Sequence, residues 1–282
     1  MQTIPKDVLY FETGSDNPVT HRVQPGEAFE VVTQINAGPW IDRLPEGERK
    51  AWRERLYGGN PASGCVWIEG ARAGDLLSVE IGSFQLDPVG YTQFGGWNGA
   101  MPGWLEVGAH HKLVELRDGI VHWNDKLKLP VRPMLGFVGV APKRERHHNG
   151  WAGTWGGNLD AQELTTGATL HLRAQCAGAL LHVGDMHALQ GDGEICGAGG
   201  IEASGRVRLT CRLASPAPAE MTWPRFENAT HLGVLAQGKP AEDAFRAALT
   251  DLLKWLEAAY KMPKGEPTCC SARSWRRASR ST

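Results

Sequence analysis

The chain has 282 residues, 41% hydrophobic and 22% charged. That is long and apolar enough to bury a sizeable core, which excludes an intrinsically disordered protein. The formal net charge is −1, and the basic residues are scattered until the last stretch. There is no global basic field of the kind that captures nucleic acid, and a small molecule is the expected partner.

In chain order, the start Met1-Gln2-Thr3-Ile4-Pro5-Lys6-Asp7 lacks an apolar core, so no secretory signal is expected. Ala28 to Ile35 alternates as a strand does. Glu46 to Leu56 is a candidate for one short charged helix. Gly64 to Ile68 reads as a strand that turns through Gly70 and Gly74-Asp75 into a second strand, Leu76 to Ile81. Gly95 to Trp104 is rich in glycine and tryptophan and reads as a loop. Lys112 to Leu116 and Ile120 to Trp123 flank Asp118-Gly119, a pair that supplies the two positive-φ positions of a tight hairpin. His147 to Gly157 is a second glycine-aromatic loop. Thr169 to Ala174, Leu180 to Val183 and Arg206 to Leu213 complete the strands. The best helix is Ala241 to Ala259: Phe245, Ala248, Leu249, Leu252, Leu253, Leu256 and Ala259 recur at helical spacing, and Pro240 stands near its start.

These patterns predict a mainly β fold with a few helices, one of them a late amphipathic helix. Residues 1–266 read as a single domain, with two β subdomains as the alternative. Residues 267–282 form an atypical basic tail with four arginines, Arg273, Arg276, Arg277 and Arg280, and no acid; without an apolar period it reads as disordered. No run approaches the roughly 18 apolar residues of a membrane helix. The six cysteines, Cys65, Cys176, Cys196, Cys211, Cys269 and Cys270, form no C-x-x-C pair. They fit buried thiols in a reducing compartment, and a cytoplasmic location is expected.

Chemistry concentrates between Asn158 and Glu194. Side chains at i and i+2 of a strand share a face, so Asp185 and His187 are expected to converge, a carboxylate and an imidazole suited to a divalent cation such as zinc. The same arithmetic links Asn158 and Asp160. The turn Gly191-Asp192-Gly193 is expected to fold the chain back and return Glu194 to the same place, where a glutamate beside activated water serves as general base. A lone D-x-H is also compatible with a turn aspartate and a satisfied core histidine. His147, His148, His110 and His111 read as solvated, Cys176 and Cys196 as packed thiols. No G-x-S-x-G elbow, P-loop or dinucleotide fingerprint is present.

The ordered motifs resemble the acetamidase/formamidase family. The resemblance rests on Asn60-Pro61, Gly64 and Glu69-Gly70-Ala71 with Gly74-Asp75; on Pro133-Met134-Leu135-Gly136-Phe137-Val138-Gly139-Val140-Ala141-Pro142; on Gly156-Gly157-Asn158-Leu159-Asp160; and on the run from Gly178 through Gly184-Asp185-Met186-His187-Ala188-Leu189-Gln190-Gly191-Asp192-Gly193-Glu194 to Ile201-Glu202. It implies hydrolysis of short amides of the formamide or acetamide type to a carboxylate and ammonia. It also implies a mainly β, sandwich-like fold, a homo-oligomer, dimer or higher, and a divalent metal, zinc with calcium as the alternative.

Carried over, Asp160, Asp185, His187 and Glu194 are metal-ligand candidates. Glu194, Asp185 and His187 are the catalytic candidates, and Asn158 and Gln190 are candidates for orienting substrate or water. Trp97, Trp104, Trp151 and Trp155 are candidate pocket walls. Two rival readings remain open: a metal-stabilised β domain that binds a small ligand without catalysis, and a hydrolase of another C–N bond in a urea-like or carbamoyl substrate. The chain departs from the family after the late helix, where Lys264-Gly265-Glu266 runs into Pro267-Thr268-Cys269-Cys270. That departure reads as a shifted frame or a replaced C-terminus, which resequencing would test.

Overall fold

The computed structural model describes residues 1–94, 99, 110–197 and 199–268. The Gly95–Trp104 loop, with Trp97 and Trp104, therefore lies outside the described residues except at Gly99, as does the tail from Cys269 onward.

Among the described residues two large sheets carry the fold, which is mainly β as expected. One has seven strands, in the order Gln2–Ile4, Ala28–Thr33, Gly205–Ala214, Leu76–Leu86, Thr169–Arg173, Arg225–Glu227 and Leu232–Val234. Its strands alternate cleanly: in Ala28–Thr33, Phe29, Val31 and Thr33 are buried and the residues between them are not, the signature of a sheet with one face on a core. The other sheet has twelve strands. Its centre is Leu181–Leu189, flanked by Met134–Val140 and Ile201–Ala203, with Ala62–Ile68 joined to its first half. One apolar core joins the two sheets, with Phe29, Val31, Leu77 and Val79 from the first and Val66, Ile68, Val138, Leu181 and Val183 from the second. The Ser63 hydroxyl donates across to the Val32 carbonyl at 2.6 Å.

The two central strands differ from the rest. Met134–Val140 is buried at every position, and Leu181–Leu189 at every position but the last. A strand buried on both faces loses its polar alternation, and polar side chains placed in it are held away from water.

The hairpin expected at Asp118-Gly119 is present, with φ of 53° and 73° at the two residues and Ile120 paired to Arg117. Helix α1, Glu46–Arg55, and helix α2, Ala241–Tyr260, lie where the periodicity puts them. In α2, however, the fully buried residue is Asp251, whereas the expected apolar positions from Phe245 to Leu256 are half-buried and Ala259 is exposed. The Asp251 carboxylate accepts from the Thr222 and Trp223 amides at 2.6 and 3.0 Å and from Arg225 Nε at 2.7 Å. Charge, as well as apolar area, docks this helix.

Candidate active site

The strand Leu181–Leu189 brings Asp185 and His187 to one site, as alternation predicts, but not through regular backbone. Asp185 has φ of 52°, in the left-handed region, which costs a non-glycine residue free energy and so signals a constrained position. Opposite it, Leu135 pairs with Met186 and Phe137 with Gly184, which sets Gly136 across from Asp185. A Cβ on Gly136 would strike Asp185 Oδ2 and Asp160 Oδ1. The absence of a side chain there makes the space that both carboxylates enter.

Asp160 arrives from the neighbouring strand. Gly156–Asn158 pairs with Met134–Val140, and the chain then turns so that the Leu159 and Asp160 amides both donate to the Gly136 carbonyl, at 2.8 and 3.0 Å. Asp160 has φ of 41°, so it reaches the site by this turn and not by the extended i, i+2 geometry that the sequence suggests. Asp160, Asp185 and His187 are each 4% exposed or less, and one potential ligand atom from each lies within 4.8 Å of the others.

Gln190 fixes the imidazole. Its Nε2 donates to the Asp160 carbonyl at 2.6 Å, which turns its Oε1 toward His187 Nδ1, also at 2.6 Å. An amide oxygen only accepts, so Nδ1 carries the hydrogen and a neutral ring presents its lone pair on Nε2. This arrangement is how metal-binding histidines are usually oriented. His187 Nε2 is buried and has no hydrogen-bond partner among the described residues; Asp185 Oδ1 stands 3.5 Å away and Glu202 Oε1 3.6 Å.

Glu202 enters as the residue directly opposite His187 in the antiparallel pairing of Leu181–Leu189 with Ile201–Ala203. Asn36 then ties the site together. Its Nδ2 lies 3.0 Å from Asp185 Oδ1 and 3.2 Å from Glu202 Oε2, and its Oδ1 accepts the Asn60 amide at 2.7 Å. Asn60 Nδ2 donates to Asn158 Oδ1 at 2.7 Å and to Asp185 Oδ2 at 3.3 Å. Asn158 therefore belongs to this lattice.

Burial alone would depress the His187 pKa, but the Asp185 and Glu202 charges outweigh it and hold it up at about 10; at neutral pH the ring without a cation therefore carries hydrogens on both nitrogens, and a cation would displace the one on Nε2. Burial and then the Asp185 charge push Glu202 up to about 8. Several carboxylates concentrated away from water need positive charge. A buried imidazole nitrogen without a hydrogen bond, carboxylates facing it, and a glycine-made space beside them fit a divalent cation.

Glu194 returns toward the site through the Gly191–Gly193 turn. It is half-buried, its Oε1 accepts the Gly199 amide at 2.5 Å, and its pKa is raised by burial, an effect that His187 opposes. Like Glu202, it lies outside the converging trio, and unlike Glu202 it has no ion-pair contact with His187 Nε2 among the described residues. Of the expected pocket walls, Trp151 is 60% exposed, and Trp155 stacks on His147 with ring centroids 3.8 Å apart. Asn36 and Glu202 were not among the residues that sequence reasoning placed in the site. Glu202 stands in the family motif without an assigned role, and Asn36 carried no signal.

The profile of the acetamidase/formamidase family matches residues 152–231. A Schizosaccharomyces pombe protein named "Putative formamidase" is 41% identical over 58 residues, 21% of this chain; the match spans only 14% of that protein's length. Among solved structures, a recombinant "predicted acetamidase/formamidase" from Thermoanaerobacter tengcongensis superposes with a TM-score of 0.82 at 31% identity, covering 91% of this chain and 83% of that one. An acetamidase from Bacillus halodurans superposes with a TM-score of 0.80 at 28% identity, covering 91% and 84%.

Proposed function

The chain belongs to the acetamidase/formamidase family, and from that premise we propose that it is a metal-dependent hydrolase of short linear amides, releasing ammonia and a carboxylate. The observation that carries the metal dependence is His187 Nε2, buried without a hydrogen bond among Asp160, Asp185 and Glu202. The imidazole favours zinc over calcium, whose ligands are oxygens. Zinc held by Asp160, Asp185 and His187 would, when bound, polarise the amide carbonyl and lower the pKa of water.

The protein's own groups do the rest. Glu194 is raised by burial and accepts a proton from the attacking water as general base. It returns that proton to the leaving nitrogen as the C–O bond forms and the C–N bond breaks. The Asn158 amide group donates to the substrate carbonyl oxygen, where negative charge develops. Gln190 holds His187 in the tautomer that leaves Nε2 available.

Ammonia release from formamide, acetamide and propionamide, with and without chelator, tests this reading. Release that a chelator abolishes and zinc restores is the expected result. A zinc-replete protein that releases no ammonia from any of the three overturns this reading and favours a binding module, with a urea-like and a carbamoyl substrate added to the panel to separate a hydrolase of another C–N bond.

A further inference from the structure

We propose that Glu202 is a direct ligand of the same cation as Asp160, Asp185 and His187, a fourth protein donor, with Asn36 as the clamp that aims it. The inference rests on the metal reading above and adds to the site a residue that neither spacing nor the family motif assigns.

Register comes first. Glu202 and His187 are direct partners in an antiparallel pair, so their side chains leave the sheet on the same face. Separation comes second. Donors to one zinc at about 2.0–2.2 Å stand roughly 3–4 Å from one another, and a catalytic site keeps a further position for water or the amide. Nε2 of His187 lies 3.5 Å from Asp185 Oδ1 and 3.6 Å from Glu202 Oε1, within that range for both. Both contacts lack the geometry of a hydrogen bond, and Nε2 has no hydrogen-bond partner among the described residues.

Orientation comes third. Asn36 Nδ2 engages Glu202 Oε2 and Asp185 Oδ1 together. It leaves Glu202 Oε1 as the oxygen that faces the imidazole, and holding both carboxylates with one amide fixes their separation. Gly199 closes over this arrangement, since a Cβ there would strike the Glu202 carboxyl. The amide of the same glycine engages Glu194 Oε1. The two glutamates are thereby given different work: Glu202 binds the cation, and Glu194 remains outside the ligand set as the base.

The test compares apo wild type with Glu202→Gln, Asp185→Asn and Glu194→Gln in a competition titration of Zn2+ against a chromophoric chelator. Loss of a partner that only orients a ligand costs 10–100-fold in affinity, so loss of a direct ligand is expected to exceed ~100-fold. The expected result is a loss of that size for Glu202→Gln and Asp185→Asn, and less than ~10-fold for Glu194→Gln. Wild-type affinity in Glu202→Gln beside a large loss in Asp185→Asn overturns the assignment of Glu202 and leaves the metal reading standing. A wild type that binds no zinc overturns both. If Glu202→Gln does not fold, anomalous diffraction from zinc-loaded wild-type crystals decides: a Glu202 oxygen at about 2.0–2.2 Å supports the assignment, and one beyond about 3 Å overturns it.

Discussion

Two residues without charge govern the site. Gln190 makes two hydrogen bonds of 2.6 Å, one to His187 and one to the Asp160 backbone, and both partners are buried. Gln190→Ala leaves His187 Nδ1 with a buried, unsatisfied hydrogen and frees the ring to rotate. A buried donor without a partner costs about 1–3 kcal/mol, and loss of a metal-orienting contact about 10–100-fold in affinity. Both effects are expected in the same variant, read by denaturant melts of the apo protein and by zinc competition. A variant that loses stability but keeps wild-type zinc affinity would show that Gln190 only packs. Gly136→Ala is the complementary case. The new methyl enters the space of Asp185 Oδ2 and Asp160 Oδ1, and overpacking of this kind costs about 1–3 kcal/mol. Zinc binding is expected to fall by more than tenfold while the circular dichroism spectrum stays native; unchanged zinc affinity would mean that the carboxylates can rearrange around the methyl.

At the level of elements, α2 is held by an ion pair that periodicity does not reveal. Arg225 is 2% exposed and Asp251 3%, and the Arg225 Nη2 to Asp251 Oδ1 distance is 2.6 Å. Asp251→Ala leaves the guanidinium with Glu220 at 3.3 Å as its remaining ion-pair partner among the described residues. Breaking a buried pair from one side costs about 3–5 kcal/mol. The expected outcome is a drop of that size in unfolding free energy and earlier proteolysis within 241–260, with zinc binding retained; a change below about 1 kcal/mol would show that the half-buried apolar face is sufficient. The same contrast explains what was legible in the sequence. Helix α2 and the Asp118-Gly119 hairpin are written in local spacing and turn chemistry, and both are present. The strand expected at Leu180 to Val183 runs on to Leu189, because Gly184, Asp185 and His187 break the alternation that marks a strand while burial on both faces permits them. Asp185 and His187 were readable as a pair. Asn36 was not, since its partners Asp185 and Glu202 lie 149 and 166 residues away, and only the pairing of the sheets brings them together.

At the scale of the whole molecule, one imidazole outside the site couples stability to pH. His182 is fully buried in the central strand; its Nδ1 donates to the Leu180 carbonyl at 2.9 Å, and its Nε2 accepts from Asn17 Nδ2 at 2.9 Å. Asn17 also takes Arg146 on its Oδ1, so the ring joins the segment before the His21–Val23 strand to the middle of the large sheet. A second proton would turn Nε2 into a donor facing a donor, away from water and beside a cationic guanidinium. Burial therefore pushes the pKa from 6.5 down to about 4, against the Leu180 hydrogen bond and with help from the Arg146 charge. As pH falls below 6.5 the unfolded chain takes up a proton that the folded chain refuses, so stability is lost between pH 6.5 and about 4. The slope approaches about 1.4 kcal/mol per pH unit, and the total reaches about 3 kcal/mol. Other groups titrate in the same range, so the informative quantity is the difference between wild type and His182→Gln in urea unfolding from pH 7 to 5. The variant is expected to be less stable at pH 7, because the ring's packing is lost, and to show a shallower decline as the pH drops. Parallel declines in the two proteins would mean that His182 takes up its proton in the folded state as readily as in the unfolded one.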